Sequence, residues 1–349
     1  LVAAALGVAM AAPAAQAADL KVGFVYVGPI GDHGWTYRHD LGRLAVEKAL
    51  GDKVETSFVE SVAEGPDAER VIRQMASSGH DLIFTTSFGY MNPTVKVAKR
   101  FPNVKFEHAT GYKDSDNVST YVARFYEGRY VQGVIAGKVS KTNTIGYIAS
   151  FPIPEVVRGI NAFLLGAHSV NPDIKVKVVW VYTWFDPPKE ADAAKVLMDQ
   201  GADIITQHTD STAALQAAAE RGLYAFGQAS DMIHFGPKTQ LTANVNNWGP
   251  YYIARAKAVL DGTWSTANTW DGMAEGMVVM APFTNMPADV AALATKTAES
   301  IRSGNLHPFT GPIRNQAGEV VVPAGAVADD GMLAGMNFYV EGVDDKLPE

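Results

Sequence analysis

The run "KVGFVYV" (Lys21–Val27) passes directly into "GPIGDHGWTYRHDLGR" (Gly28–Arg43), and this junction decides how the chain folds. The first run alternates β-formers, and the second opens a helical pattern in "TYRHDLGRLAVEKAL". Between them stand three glycines, a carboxylate and a tryptophan. Gly28, Gly31 and Gly34 permit a tight strand-to-helix connection, Asp32 can accept from an N–H or O–H, and Trp35 offers a flat face at the helix start. Two readings stay open for the pair. Asp32 and Trp35 touch a ligand, or Asp32 caps the helix while Trp35 packs in the core.

Outward from that junction the same alternation recurs. "VETSFVES" precedes "DAERVIRQMASSG", "DLIFTTS" precedes "NPTVKVAKRF", and "VKFEHAT" with "VSTYVA" closes a first set. The pattern restarts at "TIGYIAS" before "PEVVRGINAFLLGA", then "KVKVVWVYT" and "DIITQHT", each followed by a helical stretch, then "YAFGQAS" and "LTANVN"; after Asn246 a helix ("YYIARAKAVLDG"), a strand ("GMVVMAP") and a helix ("DVAALATKTAESIRSG") are expected to return to the first unit. Alternation of this kind argues for parallel sheets covered by helices. The expected fold is α/β, with two doubly wound parallel-sheet lobes and a hinge. Lobe 1 is assigned 18–140 plus about 247–308, and lobe 2 141–246 plus about 309–349. The final "NQAGEVVVPAG" reads as a hairpin.

The 349 residues are 47% hydrophobic and 19% charged, with a formal net charge of −8. An acidic balance argues against broad contact with nucleic acid or anionic lipid, which both need a basic surface. The opening apolar run ends in Ala15-Gln16-Ala17, which reads as a secretory signal peptide over 1–17 and points to export into the periplasm. There is no cysteine, so neither a disulfide framework nor a lipid anchor on cysteine is expected.

Ligands of open parallel sheets sit beyond the carboxyl ends of the strands. The residues there include Trp35, Phe88, Tyr90, Trp184, Phe185, His208, Asp210, Asp231, Asn246 and Trp248, rich in rings and poor in cations. Two facing lobes with such loops would stack on a flat ligand and hydrogen-bond its edge. Phe88, Tyr90 and Phe185 fit either the cleft wall or the packing beneath it. Other chemistries lack their residues. "GVIAGKVS" (Gly133–Ser140) falls one residue short of a phosphate loop and reads as a helix end; no zinc-protease pair or serine elbow exists; "DSDNVSTYVARF" lacks the central glycine and final glutamate of a calcium loop. No metal and no cofactor are expected.

In order and spacing, three elements resemble the basic membrane protein family of ABC-transporter substrate-binding proteins, whose best-known members are purine nucleoside receptors. They are Gly31-Asp32-His33-Gly34-Trp35-Thr36, "EGRYVQG" (Glu127–Gly133) and "GQASD" (Gly227–Asp231) followed by "LTANVNNW". The resemblance implies a type I periplasmic binding protein fold and a non-enzymatic receptor that hands its ligand to an ABC permease in the inner membrane. It also implies that Trp35 replaces a phenylalanine that stacks on the purine and Thr36 an asparagine that touches the base. Ala229 and Asn246 stand where family members hold the ribose with charged groups, and Phe125 or Tyr126 replaces an acidic position. A purine base such as adenine is therefore the expected ligand, rather than a nucleoside. The candidate ligand-binding residues are Asp32, Trp35, Thr36, Phe88, Tyr126, Glu127, Trp184, His208, Asp231 and Asn246, with no catalytic residue and a monomer expected. The alternatives are a monosaccharide receptor, an exported nucleoside-acting hydrolase and a sensing subunit that docks on a receptor kinase.

Overall fold

The alternation read from the sequence forms two separate six-stranded sheets, seen in a computed structural model that describes residues 18–348. The leader expected over 1–17 lies outside the described residues. In chain order the first set is β1 (Leu20–Val25), α1 (Trp35–Leu50), β2 (Val54–Val59), α2 (Pro66–Ser77), β3 (Leu82–Thr85), α3 (Met91–Ala98), β4 (Lys105–Ala109) and β5 (Val118–Ala123). Next come α4 (Phe125–Val139), β6 (Thr144–Ala149), α5 (Pro154–His168), β7 (Lys175–Trp180), α6 (Pro187–Asp199), β8 (Ile204–His208), α7 (Ala213–Glu220), β9 (Tyr224–Ala229) and β10 (Gln240–Asn246). The chain continues through α8 (Gly249–Leu260), β11 (Asn268–Asp271), β12 (Val278–Met280), α9 (Ala288–Arg302), β13 (Ile313–Arg314), β14 (Val320–Val322) and α10 (Asp330–Ala334).

The strand orders are β11-β5-β4-β3-β1-β2 and β12-β10-β9-β8-β6-β7, the same winding twice. Every pairing within them is parallel except β10 with β12. In each sheet the order reverses beside its first strand, so the loops after β1 and β3 meet at one switch point and those after β6 and β8 at the other. The central strands are buried on both faces, as helix-covered parallel strands must be; Val22, Phe24, Leu82 and Phe84 are all nearly inaccessible.

The division between lobes differs from the one expected at residue 140. Helix α4 packs on α5, α9, β10 and β12, all elements of the second lobe, so the first crossing falls at Arg124. Likewise β12 and α9 belong with the second sheet, whereas α8 packs on α1 and β11 pairs with β5. The chain thus passes between lobes three times: after β5, after β10 and between β11 and β12. The strand "NTWD" of β11 carries no alternation that would mark it; its backbone pairs with β5 because the sheet edge is open there. The expected C-terminal hairpin forms as β13 and β14.

The α4–α5 contact explains why residues 125–140 leave the first lobe. A Cβ on Gly133 would collide with the Phe163 carbonyl, and one on Gly166 with the Tyr130 carbonyl, so the two backbones touch where glycine allows it. The glycines of "GVIAG" therefore serve helix packing, and they lie inside and near the end of α4. The first and third crossings are tied to each other and to α10 at Arg124, whose Nε donates to the Trp270 carbonyl (3.0 Å) and whose guanidinium pairs with Asp330 (2.7 Å).

Candidate functional site

Both switch points face the same gap between the lobes. There, Val27, Trp35, Ser87, Phe88 and Thr110 from the first lobe and Glu155, Trp184, His208 and Asp210 from the second line one narrow cavity. Each ends or follows a strand, or opens the helix after it, as the doubly wound topology requires. The lobes meet around the cavity. Gly34 lies against the Asp210 carbonyl so closely that a Cβ could not fit, the rings of His33 and Phe235 are 4.7 Å apart, and Ser230 hydroxyl donates to the His33 carbonyl. Of the three junction glycines, only Gly34 is demanded by this approach; nothing lies within 4 Å of a Cβ at Gly31.

Trp35 is buried and oriented by three contacts behind it. Its indole N–H donates to the Thr86 carbonyl at 2.7 Å, and its edge meets His39 and Trp248 at 4.4 and 5.6 Å between ring centres. Trp248 is itself core, stacked on His39 at 4.8 Å. Opposite, Trp184 leans on Phe151 (5.0 Å) and donates from its indole N–H to Glu64 Oε1 (3.2 Å) across the lobe boundary. Glu64 also accepts from the Ser87 hydroxyl and the Gly89 N–H, so one carboxylate fixes two cavity-lining loops.

Asp32 accepts from the N–H groups of Gly34, Thr36 and Tyr37 at 2.8 to 3.0 Å. It caps the start of α1, the reading set against ligand contact, and is not among the lining residues. Thr36 faces back to Gly28, whose N–H donates to its hydroxyl at 3.2 Å. Tyr126 packs edge-on against Trp270 and Phe309, and Glu127 accepts from the Met273 N–H at 2.6 Å; both stand at the crossings, away from the cavity lining. Asp231 is exposed and occupied by the Ile233 N–H and Gln240 Nε2, and the Asn246 carbonyl accepts from Arg38 Nε. Four of the ten candidates thus share the cavity: Trp35, Phe88, Trp184 and His208. Tyr90, by contrast, is buried, donating its hydroxyl to the Val62 carbonyl.

Asp210, Glu155, Ser87 and Thr110 complete the polar lining. His208 Nε2 lies 3.4 Å from Glu155 Oε1, while burial holds its imidazole below the usual range. Asp210 is raised well above the ordinary carboxylate range, by burial first and then by the carboxyls of Asp32, Glu190 and Glu155. No lysine or arginine lines the cavity, so an anionic ligand would find no counter-charge. Among the described residues no cluster of His, Asp and Glu could hold a metal, and no helix is long and apolar enough to cross a membrane.

Residues 19–303 match the family model described as ABC transporter substrate-binding protein, PnrA-like. The chain belongs to this family. Its members are substrate-binding proteins of ABC transporters and not enzymes, which sets aside the hydrolase alternative. Family membership also brings association with an ABC transporter and work outside the cytoplasm. A purine-binding protein of Brucella abortus (strain 2308) is 69% identical over 330 residues, covering 95% of this chain and 94% of that protein. A Haloferax volcanii protein named for glucose binding in an ABC transporter is 39% identical over 330 residues, 94% of this chain and 81% of its own length. Among solved structures, a solute-binding protein of an ABC transporter system from Aeropyrum pernix K1 superposes with a TM-score of 0.71 at 20% identity, covering 90% of this chain and 95% of that one. That similarity speaks to the fold: a two-lobed α/β family member built like a periplasmic binding protein.

Proposed function

We propose that this chain is a periplasmic receptor that binds a purine base, adenine or a close analogue, and presents it to the inner-membrane permease of an ABC importer. The observation that carries the reading is the shared cavity, with two rings from each lobe and no cation in its lining. The purine-binding name of the Brucella relative supports the same ligand class. In this reading Trp35 and Trp184 stack on the base, Phe88 and His208 close the sides, and Asp210, Glu155, Ser87 and Thr110 meet its edge. Asp32 and Thr36 hold the start of α1 in place, while Tyr126, Glu127 and Asn246 support the crossings. Asp231 has no part in the contact. The protein works as a monomer, exported by the segment 1–17.

The energetics are sufficient. A purine base has about ten heavy atoms, so micromolar binding near −8 kcal/mol needs about −0.8 kcal/mol per atom, below the ceiling of about −1.5 for very small ligands. Stacking supplies about 1–3 kcal/mol per aromatic partner. Because the walls come from both lobes, a bound base favours the closed arrangement, and closure is what a permease would read.

Mass spectrometry of the ligand that co-purifies, followed by calorimetric titration with adenine, adenosine, ribose and glucose, tests the reading. Adenine is expected to bind and ribose alone to give no heat. Glucose binding with adenine silent would overturn the assignment in favour of the sugar chemistry in the name of the Haloferax relative.

A further inference from the structure

We propose that Asp210 meets the ligand as a neutral carboxylic acid. It donates one hydrogen bond and accepts another on a heterocycle edge where a ring nitrogen sits beside an amino N–H, the arrangement adenine carries. The inference rests on the purine reading above and assigns the group that selects the ligand's edge.

Three observations carry it. The Asp210 side chain is 3% exposed and lines the cavity, yet among the described residues no protein group hydrogen-bonds its carboxyl. It is a buried polar group left for something in the cavity to satisfy. Its charged surroundings are carboxyls from three other elements: Asp32 before α1, Glu190 on α6 and Glu155 on α5. The imidazole on its own side, His208 at the end of β8, is kept neutral by burial. The buried arginines are engaged elsewhere, Arg129 with Gln132 and Gln228, and Arg158 with the Leu333 carbonyl.

Carboxyls gathered this closely in a buried boundary cannot all hold charge, so a proton resides on one of them. The hydrogen bonds decide which. Burial raises Asp32 to about 7, but three backbone N–H groups at a helix N-terminus favour its anion and draw it back down. Glu190 has its own donors, the Asp186 N–H, the Ser211 N–H and the Ser211 hydroxyl. Asp210 has none and retains the proton, and burial together with its neighbours pushes it the same way. A protonated carboxyl carries one donor beside one acceptor. That pair complements the 6-amino group of adenine and the ring nitrogen next to it. An ionised carboxylate offers only acceptors and would suit an edge with two adjacent N–H groups.

The test is calorimetric titration of the whole chain with adenine from mildly acidic to mildly alkaline pH, for the wild type, Asp210→Asn and Asp210→Ala. Asparagine keeps one donor and one acceptor. In the wild type, adenine affinity is expected to fall toward about tenfold per pH unit once Asp210 ionises, with uptake of about one proton per adenine bound, read from buffers of different ionisation enthalpy. Asp210→Asn is expected to bind within about tenfold of the wild type at acidic pH and to lose both the slope and the proton uptake, whereas Asp210→Ala loses more than that at every pH. Adenine binding that tightens as the pH rises overturns the inference, because the ionised carboxylate would then be the binding form. So does Asp210→Asn falling as far as Asp210→Ala. No heat with any purine base at any pH overturns the purine reading itself, and this inference with it.

Discussion

Trp35 is set in position before any ligand arrives, because the Thr86 carbonyl, His39 and Trp248 hold its edge and leave the cavity side open. Replacing it by alanine is expected to weaken purine binding about tenfold to a hundredfold, the range of one lost stacking partner, with Trp35→Phe losing less. Titration calorimetry reads this directly, and wild-type affinity in the alanine variant would remove the ring from the slot. Glu127 makes a different prediction. Burial pushes it up to about 7 against one N–H donor, from Met273, and the charge of Arg124. A carboxyl whose folded pKa is raised takes up protons more readily folded than unfolded, so it costs stability progressively from its ordinary range up through pH about 7. The melting temperature of the wild type is therefore expected to fall, relative to Glu127→Gln, between mildly acidic and mildly alkaline pH. The residue scale is also where the sequence was least legible. Asp32 and Asp210 both follow strands and both read equally as caps or ligand contacts. Only their neighbours separate them, three N–H groups for one and none for the other.

Helix α4 shows how one pattern supports two readings until its partner is known. The spacing Gly133-x-x-x-Gly137 approaches a phosphate loop in sequence, but in the fold it lets α4 lie backbone to backbone on α5. Gly133→Ala is expected to cost more than about 2 kcal/mol, because the added methyl meets the Phe163 main chain and not a side chain that could turn away. Thermal or urea unfolding measures it. Gly34→Ala is expected to behave in the opposite way. Its methyl meets the Asp210 carbonyl across the lobe boundary, so each lobe keeps its own core while the closed arrangement is lost. Small-angle scattering should report a wider molecule and calorimetry a drop in purine affinity of more than about tenfold, with melting little changed. A Gly34→Ala variant as compact as the wild type and equally tight in binding would show that the contact is not needed for closure. Most strands and helices were legible from their periods, and β11 was not, since four residues at a sheet edge are too few to show an alternation.

For the whole molecule, a ligand held by both lobes stabilises the folded, closed chain by mass action. Adenine at about one hundred times its dissociation constant is expected to add about 2.7 kcal/mol, raising the melting temperature by several degrees, while ribose at the same concentration adds nothing. Scanning calorimetry with each ligand measures the difference. Local sequence was enough for the two parallel sheets, their helical cover and a cavity beyond the strand ends, because periodicity and strand–helix alternation are local and survive without knowledge of partners. It also carried the family, through the order of three short elements. Tertiary structure decided which lobe α4, β12 and α9 join, which rings share a cavity and which become core, and which carboxyl is left without a donor. Each of these depends on groups brought together from far along the chain by three crossings, and burial, packing and charge are properties of that assembled neighbourhood, not of a residue type.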